Sequence, residues 1–368
     1  MLITEEQNKY AERRDFISED SIDSWVLEKA PDFLDYLFFH NVIDKFCWIL
    51  KLHYSDRETV KKKKYRIDTL FQRFMLSNKI SQENMIKCFS NNAEPGQLEH
   101  HLSKGWHNEL VRSDPLHPDF LNIGTQIGKW GVPGSGGFAA WNIIQSYYAV
   151  FEFMCCYSSA INPSLDTRGH KKVAREFSNQ NIGKGKGRLI FYPFLLTSST
   201  KEKDLPSHPD FCQYHYASYP REHGRGICEL EYEVQKALAL INDRGKSSFL
   251  DLLYELRLWA NYTGVQSLLK LSDGGYQQFI SRNLATIVYF SGGIAELSVL
   301  SALGESTYLG MLKRFSSDYI DKHERFAINR FLIPAFIRLR SYKHLGLING
   351  CINFIMPETS DPVQFIEI

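Results

Sequence analysis

The feature that most constrains the fold is the segment from Trp141 to Phe177. Its first part has the spacing of one long helix, on which Tyr147 and Tyr148 lie four and three residues before Phe151. Side chains three and four residues apart share a helix face. We therefore expect these rings to contribute to the core, with Phe151 and the later Leu256 inside a helical bundle. After a polar break, a second helix is predicted to begin at His170.

Composition favours a packed, mostly α protein. Of the 368 residues, 43% are hydrophobic and 23% are charged, which is typical of a folded chain rather than a disordered one. The length suggests two or three helical units. The formal net charge is only +1, which argues against a general polyanion binder, so a nucleic-acid surface would require local clusters of cations.

Three segments resemble the HEPN superfamily of helical domains. They are the tyrosine-pair helix, the His170–Lys171 turn, and the later stretch Leu252 to Tyr262, which contains Leu-Arg followed by Ala-Asn-Tyr. The resemblance implies a HEPN-like bundle that binds nucleic acid or a protein partner. It also implies a setting in a prokaryotic defence (antiviral) or toxin–antitoxin assembly.

The resemblance argues against RNA cleavage at Arg257. In nucleolytic members an Arg precedes a His by four to six positions, whereas Tyr262 stands in that place here. A tyrosine with a pKa near ~10 is a poor proton shuttle at neutral pH. The pattern matches the non-nucleolytic branch, so the chain is expected to be a binding module. The alternative is a metal-independent endoribonuclease that uses Arg338 and His344, the pair with the family's spacing.

Candidate binding residues fall into two groups. Phosphate could bind where a helix N-terminus meets cations, or at a basic loop between glycines; these residues are His170, Lys171, Lys184, Lys186 and Arg188. No cofactor is indicated, except that a structural zinc ion could bind four residues of a loop-rich insert, namely Cys212, His215, His223 and Cys228. Their spacing matches no specific zinc module.

Three regions are predicted. They are an N-terminal helical region (1–130), a HEPN-like bundle (131–295) with a loop-rich insert near 180–228, and a C-terminal helical extension (296–368). A domain joint is expected within 91–137. Helices are expected at 248–262, 276–290, 295–303, 309–319 and 323–342.

The expected location is the cytoplasm. No signal peptide or membrane span is apparent, and the seven cysteines form no disulfide framework. The best apolar run, 284–303, is interrupted by Ser291-Gly292-Gly293 and carries Glu296. The expected partners are RNA or DNA and a protein from the same operon, and a homodimer is possible.

Overall fold

The structure is a computed structural model that describes residues 43, 67–77, 89, 93–111, 135–182, 249–263, 274–331 and 334–349. Within these ranges every regular element is helical, which confirms the mostly α fold. The helices are α1 (Ile67–Ser77), α2 (Pro95–Val111), α3 (Ser135–Ile161), α4 (His170–Ile182), α5 (Phe249–Leu258), α6 (Gly274–Leu303), α7 (Glu305–Phe331) and α8 (Pro334–His344), and a π-helical turn (Trp259–Thr263) follows α5.

Helix α3 is the centre of the described structure. It packs along α6 and α2, and it also contacts α4, α5 and the π-helical turn. The five consecutive side chains from Phe153 to Tyr157 are each at most 1% exposed. A helix that is buried on every side is a core helix rather than a surface helix. Cys155 and Cys156 lie within this segment as free, buried thiols.

Helix α6 is continuous across the predicted interruption at Gly292 and Gly293. A Cβ atom at Gly292 would lie 2.9 Å from the guanidinium carbon of Arg338, and one at Gly293 would collide with the ring of Phe71. The two glycines therefore allow α8 and α1 to approach α6 closely, and they do not end the helix. The two helices predicted for 276–303 are one.

One segment of α6, Asn283–Leu303, is long and apolar enough to cross a membrane. The protein interior buries 89% of its most apolar window, as in the core helix of a folded domain. Core packing therefore explains the apolar run, and Glu296, the carboxylate within it, is buried in an ion pair.

Arg338 on α8 is fully buried and is held by two carboxylates from other helices. Its Nη1 and Nη2 donate to the two oxygens of Glu109 on α2, at 2.8 and 2.9 Å. Its Nε and Nη2 donate to Glu296 on α6, at 3.0 and 2.7 Å. Trp106 Nε1 and the Tyr342 hydroxyl also donate to Glu296. We call Glu109, Glu296 and Arg338 the buried ion-pair network.

The network keeps its charge although it lies in the core. Burial alone lowers the pKa of Arg338, but the carboxylates of Glu109 and Glu296 hold that pKa well above its ordinary value. Burial followed by Glu296 raises the pKa of Tyr342, so the Tyr342 hydroxyl stays a donor. The network therefore joins α2, α6 and α8 through charge-assisted hydrogen bonds.

Several helix boundaries differ from prediction because of single prolines and glycines. Residues 95–111, which fall within the expected domain joint, form α2, and Pro95 occupies its first position, where a missing N–H costs nothing. Pro334 likewise begins α8, so the helix predicted for 323–342 is divided. Gly304, with φ of 82°, separates α6 from α7 in the left-handed conformation that glycine adopts readily.

The described helices contribute to one buried core. Residues from all three predicted regions take part, among them Leu102, Phe153 and Leu339. Phe151 and Leu256 are 6% and 0% exposed, as predicted, while Tyr148 is half-buried against the same core. The predicted boundary at 295 falls inside α6, and the boundary at 130 lies outside the described residues.

We predict that Arg338→Met destabilises the protein by about 3–5 kcal/mol, because it leaves two buried carboxylates without their cation. Arg340→Met, at an exposed position on the same helix, is the matched control and should change stability by less than about 0.5 kcal/mol. Denaturant-induced unfolding measures both. Equal, small effects of the two substitutions would show that the network is not formed.

Candidate functional site

The candidate site begins with the two tyrosines of α3. Tyr147 is buried, and its ring stacks on Phe151 with centroids 5.9 Å apart. Tyr148 is half-buried, and its ring meets that of Tyr147 edge-on at 5.4 Å. Their hydroxyl groups contact different helices, so the pair joins two other elements to α3.

His170 joins α4 to the tyrosine pair. It is the first residue of α4, as predicted, and its Nδ1 lies 2.6 Å from the Tyr147 hydroxyl. Its ring packs against Phe151 with centroids 4.3 Å apart, and against Tyr254 of α5 at 5.8 Å. The imidazole therefore sits in an aromatic environment at the N-terminus of a helix.

Arg257, in the last turn of α5, completes the site. Its Nη2 donates to the Tyr148 hydroxyl at 2.7 Å, and its guanidinium carbon lies 5.4 Å from the Tyr148 ring centroid. The second distance is within the range of a cation–π contact. We call Tyr147, Tyr148, His170 and Arg257 the tyrosine–histidine–arginine cluster. It brings together all three segments that carry the family resemblance.

Burial sets the protonation states in this cluster. Desolvation and then the charge of Arg257 lower the pKa of His170, so the imidazole is neutral at physiological pH. Burial raises the pKa of Tyr147 well above its ordinary value, so its hydroxyl keeps its proton. That hydroxyl can donate to Nδ1, which leaves the hydrogen of neutral His170 on Nε2.

Arg257 carries a charge without a carboxylate partner among the described residues. Its guanidinium is only partly exposed, and its buried Nε has no hydrogen-bond acceptor within the described ranges. A partly buried cation attracts a nearby anion more strongly than a fully hydrated cation does, because the effective dielectric constant around it is lower. The arrangement can therefore accept an anionic group, with hydrogen bonds from the guanidinium.

The loop before α4 has its own ion pairs. Asp166 accepts hydrogen bonds from Arg168 at 2.9 Å and from Lys172 at 3.3 Å, and these bonds lower its pKa well below the ordinary value. Lys171 is exposed, and in the part of the chain that the structure describes it forms no ion pair. Lys171 thus places an available positive charge beside His170.

The structure places Arg338 and His344 in different environments. All five N–H groups of Arg338 are engaged, by Glu109, Glu296 and the carbonyl oxygen of Tyr289. His344 is exposed at the end of α8. A fully occupied, buried guanidinium has no donor left for a phosphate, so this geometry gives Arg338 a structural role.

The remaining predicted site residues lie outside the described residues. They are the basic loop residues Lys184, Lys186 and Arg188, and the four candidate zinc ligands Cys212, His215, His223 and Cys228. Their assignments stay predictions. The side chain of Tyr262 is likewise outside the described part, although its backbone belongs to the π-helical turn.

Sequence reasoning missed Tyr254 and the partners of Arg338. Tyr254 packs against Tyr147 and His170 at 5.9 and 5.8 Å, and its position three residues before Arg257 is a helical signal for a shared face. Glu296 was visible as a single carboxylate in an apolar helix. No local signal connects Glu109 to a residue 229 positions later.

No family model, curated protein or solved structure matches this chain.

We predict that the unfolding free energy falls as pH falls through about 6.5, because the unfolded state then binds a proton that the folded state resists at His170. The contribution of neutral His170 to stability is fully present above the pKa that His170 has in the unfolded state. It is lost as the pH falls from that value toward the lower pKa of the folded state. His170→Gln should weaken the pH dependence, whereas His344→Gln, at an exposed position, should retain it. Denaturant unfolding at about pH 7.5 and about pH 5.5 measures the effect. An identical pH dependence in all three proteins would contradict the description of the cluster.

Proposed function

We propose that this protein is a HEPN-like helical module that binds nucleic acid through a phosphate at the tyrosine–histidine–arginine cluster. The observation that carries the proposal is the guanidinium of Arg257. It is partly buried, its Nε has no acceptor, and no carboxylate pairs with it among the described residues. A phosphate group would supply the negative charge that this site lacks, and its oxygens can accept hydrogen bonds from a guanidinium.

The neighbourhood of Arg257 supports the same ligand. His170 lies at the N-terminus of the 13-residue helix α4, where backbone N–H groups and the helix dipole favour anions. Exposed Lys171 adds a cation beside it. Such contacts position a backbone without reading its sequence. Binding with little sequence preference is therefore expected.

The role is binding rather than cleavage. His170 is neutral and hydrogen-bonded to Tyr147, and the Arg257 guanidinium is bonded to Tyr148. Both groups are fixed to the tyrosine pair, which suits them to hold a phosphate. By the family resemblance, we place the module in a prokaryotic defence or toxin–antitoxin assembly with a protein partner from the same operon.

We expect the full chain to bind a fluorescently labelled single-stranded RNA at low salt, and to bind it less tightly as salt rises. Lys171→Gln and Arg257→Gln should each weaken binding. Each should also reduce the slope of log affinity against log salt concentration by roughly the amount that one phosphate contact contributes. Lys313→Gln, at an exposed position on α7, is the matched control and should leave both unchanged. Fluorescence anisotropy measures affinity, and thermal melting checks the fold of each variant.

Two results would overturn the proposal. One is the absence of binding to single- or double-stranded RNA or DNA at low salt, which would favour a protein partner instead. The other is binding that Lys171→Gln and Arg257→Gln leave unchanged in variants that melt like the parent.

A further inference from the structure

A second polar cluster lies between α2 and α3, next to the loop that leads to His170. His101 on α2 and Glu152 and Cys155 on α3 each present one metal-ligating atom, and these atoms lie within 4.8 Å of one another. Glu152 and Cys155 are three residues apart on α3, so they share one helix face. The close packing of α2 against α3 brings His101 to that face.

The hydrogen bonds of His101 already resemble those of a metal ligand. Nδ1 lies 2.7 Å from Oε2 of Glu152, and Nε2 lies 3.1 Å from Oγ1 of Thr167. Histidines that bind a metal through one nitrogen usually donate from the other to an oxygen, which fixes the ring and its tautomer. Thr167 is in place to accept that bond if Nδ1 binds the metal.

We propose that His101, Glu152 and Cys155 bind a Zn²⁺ ion. Tetrahedral zinc bound by nitrogen, oxygen and sulfur separates its ligand atoms by about 3.3–3.6 Å. The three side chains need only small shifts to reach that spacing. Three protein ligands leave a fourth position, which water can fill, as in zinc sites that are not purely structural.

Charge balance supports a divalent cation. A bound dication would stabilise the Cys155 thiolate, and thiolate plus carboxylate would neutralise its two charges. The positive charge of Lys104 opposes cation binding, since its Nζ lies 4.0 Å from Oε1 of Glu152. Its side chain is 52% exposed, so it can turn into solvent when a cation binds.

The site is nearest to solvent at Glu152. His101 and Cys155 are buried, whereas Glu152 is 13% exposed at its side chain and Thr167 lies in the partly exposed loop before α4. An ion would therefore reach the site from the side of Glu152 and that loop.

The test loads chelator-treated full-length protein with Zn²⁺ or Co²⁺. Cys212→Ala and Cys228→Ala are present throughout, so that the candidate ligands in the insert do not contribute. Zinc per chain is measured by elemental analysis, and the thiolate-to-cobalt charge-transfer absorption reports a sulfur ligand. Cys155→Ala is compared with Cys156→Ala, which removes the neighbouring buried thiol and is the matched control.

We expect about one zinc ion per chain in the parent and in Cys156→Ala, and at least about tenfold weaker binding in Cys155→Ala. The cobalt absorption should vanish only in Cys155→Ala. Glu152→Gln, at a partly exposed position, should also weaken binding, and it carries the test if Cys155→Ala does not fold. The proposal is overturned if the parent binds neither metal, or if Cys155→Ala and Glu152→Gln, folded, bind zinc like the parent.

Discussion

The buried ion-pair network is the interaction on which the rest of the described structure depends. A guanidinium and two carboxylates cannot stay in a protein core unless each finds its partners, so α2, α6 and α8 must meet where Glu109, Glu296 and Arg338 coincide. Such a network need not add net stability relative to apolar residues. It disfavours other alignments of these helices, because a different alignment would leave a buried charged group without its partner. Arg338 also lies 6.0 Å from the ring of Phe153 on α3. Because α3 packs along both α2 and α6, the alignment of these helices also positions the central one.

Once α3 is fixed, its two tyrosines determine where α4 and α5 lie. The Tyr147 hydroxyl meets the first residue of α4, and the Tyr148 hydroxyl meets the last turn of α5. The result is a neutral imidazole and a guanidinium held near one another around the same pair of rings. Burial lowers the pKa of the imidazole, and the charge of the guanidinium acts in the same direction. A bound anion would offset the charge of the guanidinium, and for this reason we propose a phosphate ligand rather than a general protein surface.

The sequence predicted what depends on local spacing and could not predict what depends on distant pairing. The shared face of Tyr147 and Phe151, the start of a helix at His170 and the mostly α fold all follow from spacing of three or four residues. By contrast, the meeting of Tyr147, Tyr148, His170 and Arg257 was not predicted, because Arg257 is 109 positions from Tyr148 and no local pattern joins them. The sequence indicated Arg338 only as a candidate partner of His344, because its carboxylates stand 42 and 229 positions away. Gly292-Gly293 looked like a break for the same reason: the arginine and the ring that require the missing side chains lie on other helices.

The most direct test of the central claim is a nuclear magnetic resonance titration of the His170 imidazole, assigned by the loss of its signal in His170→Gln. In the free protein we predict a pKa below the ordinary value of about 6.5. With saturating single-stranded RNA the pKa should rise, because a phosphate beside Arg257 favours the charged imidazole. A titration that is the same with and without bound RNA would contradict phosphate binding at the tyrosine–histidine–arginine cluster.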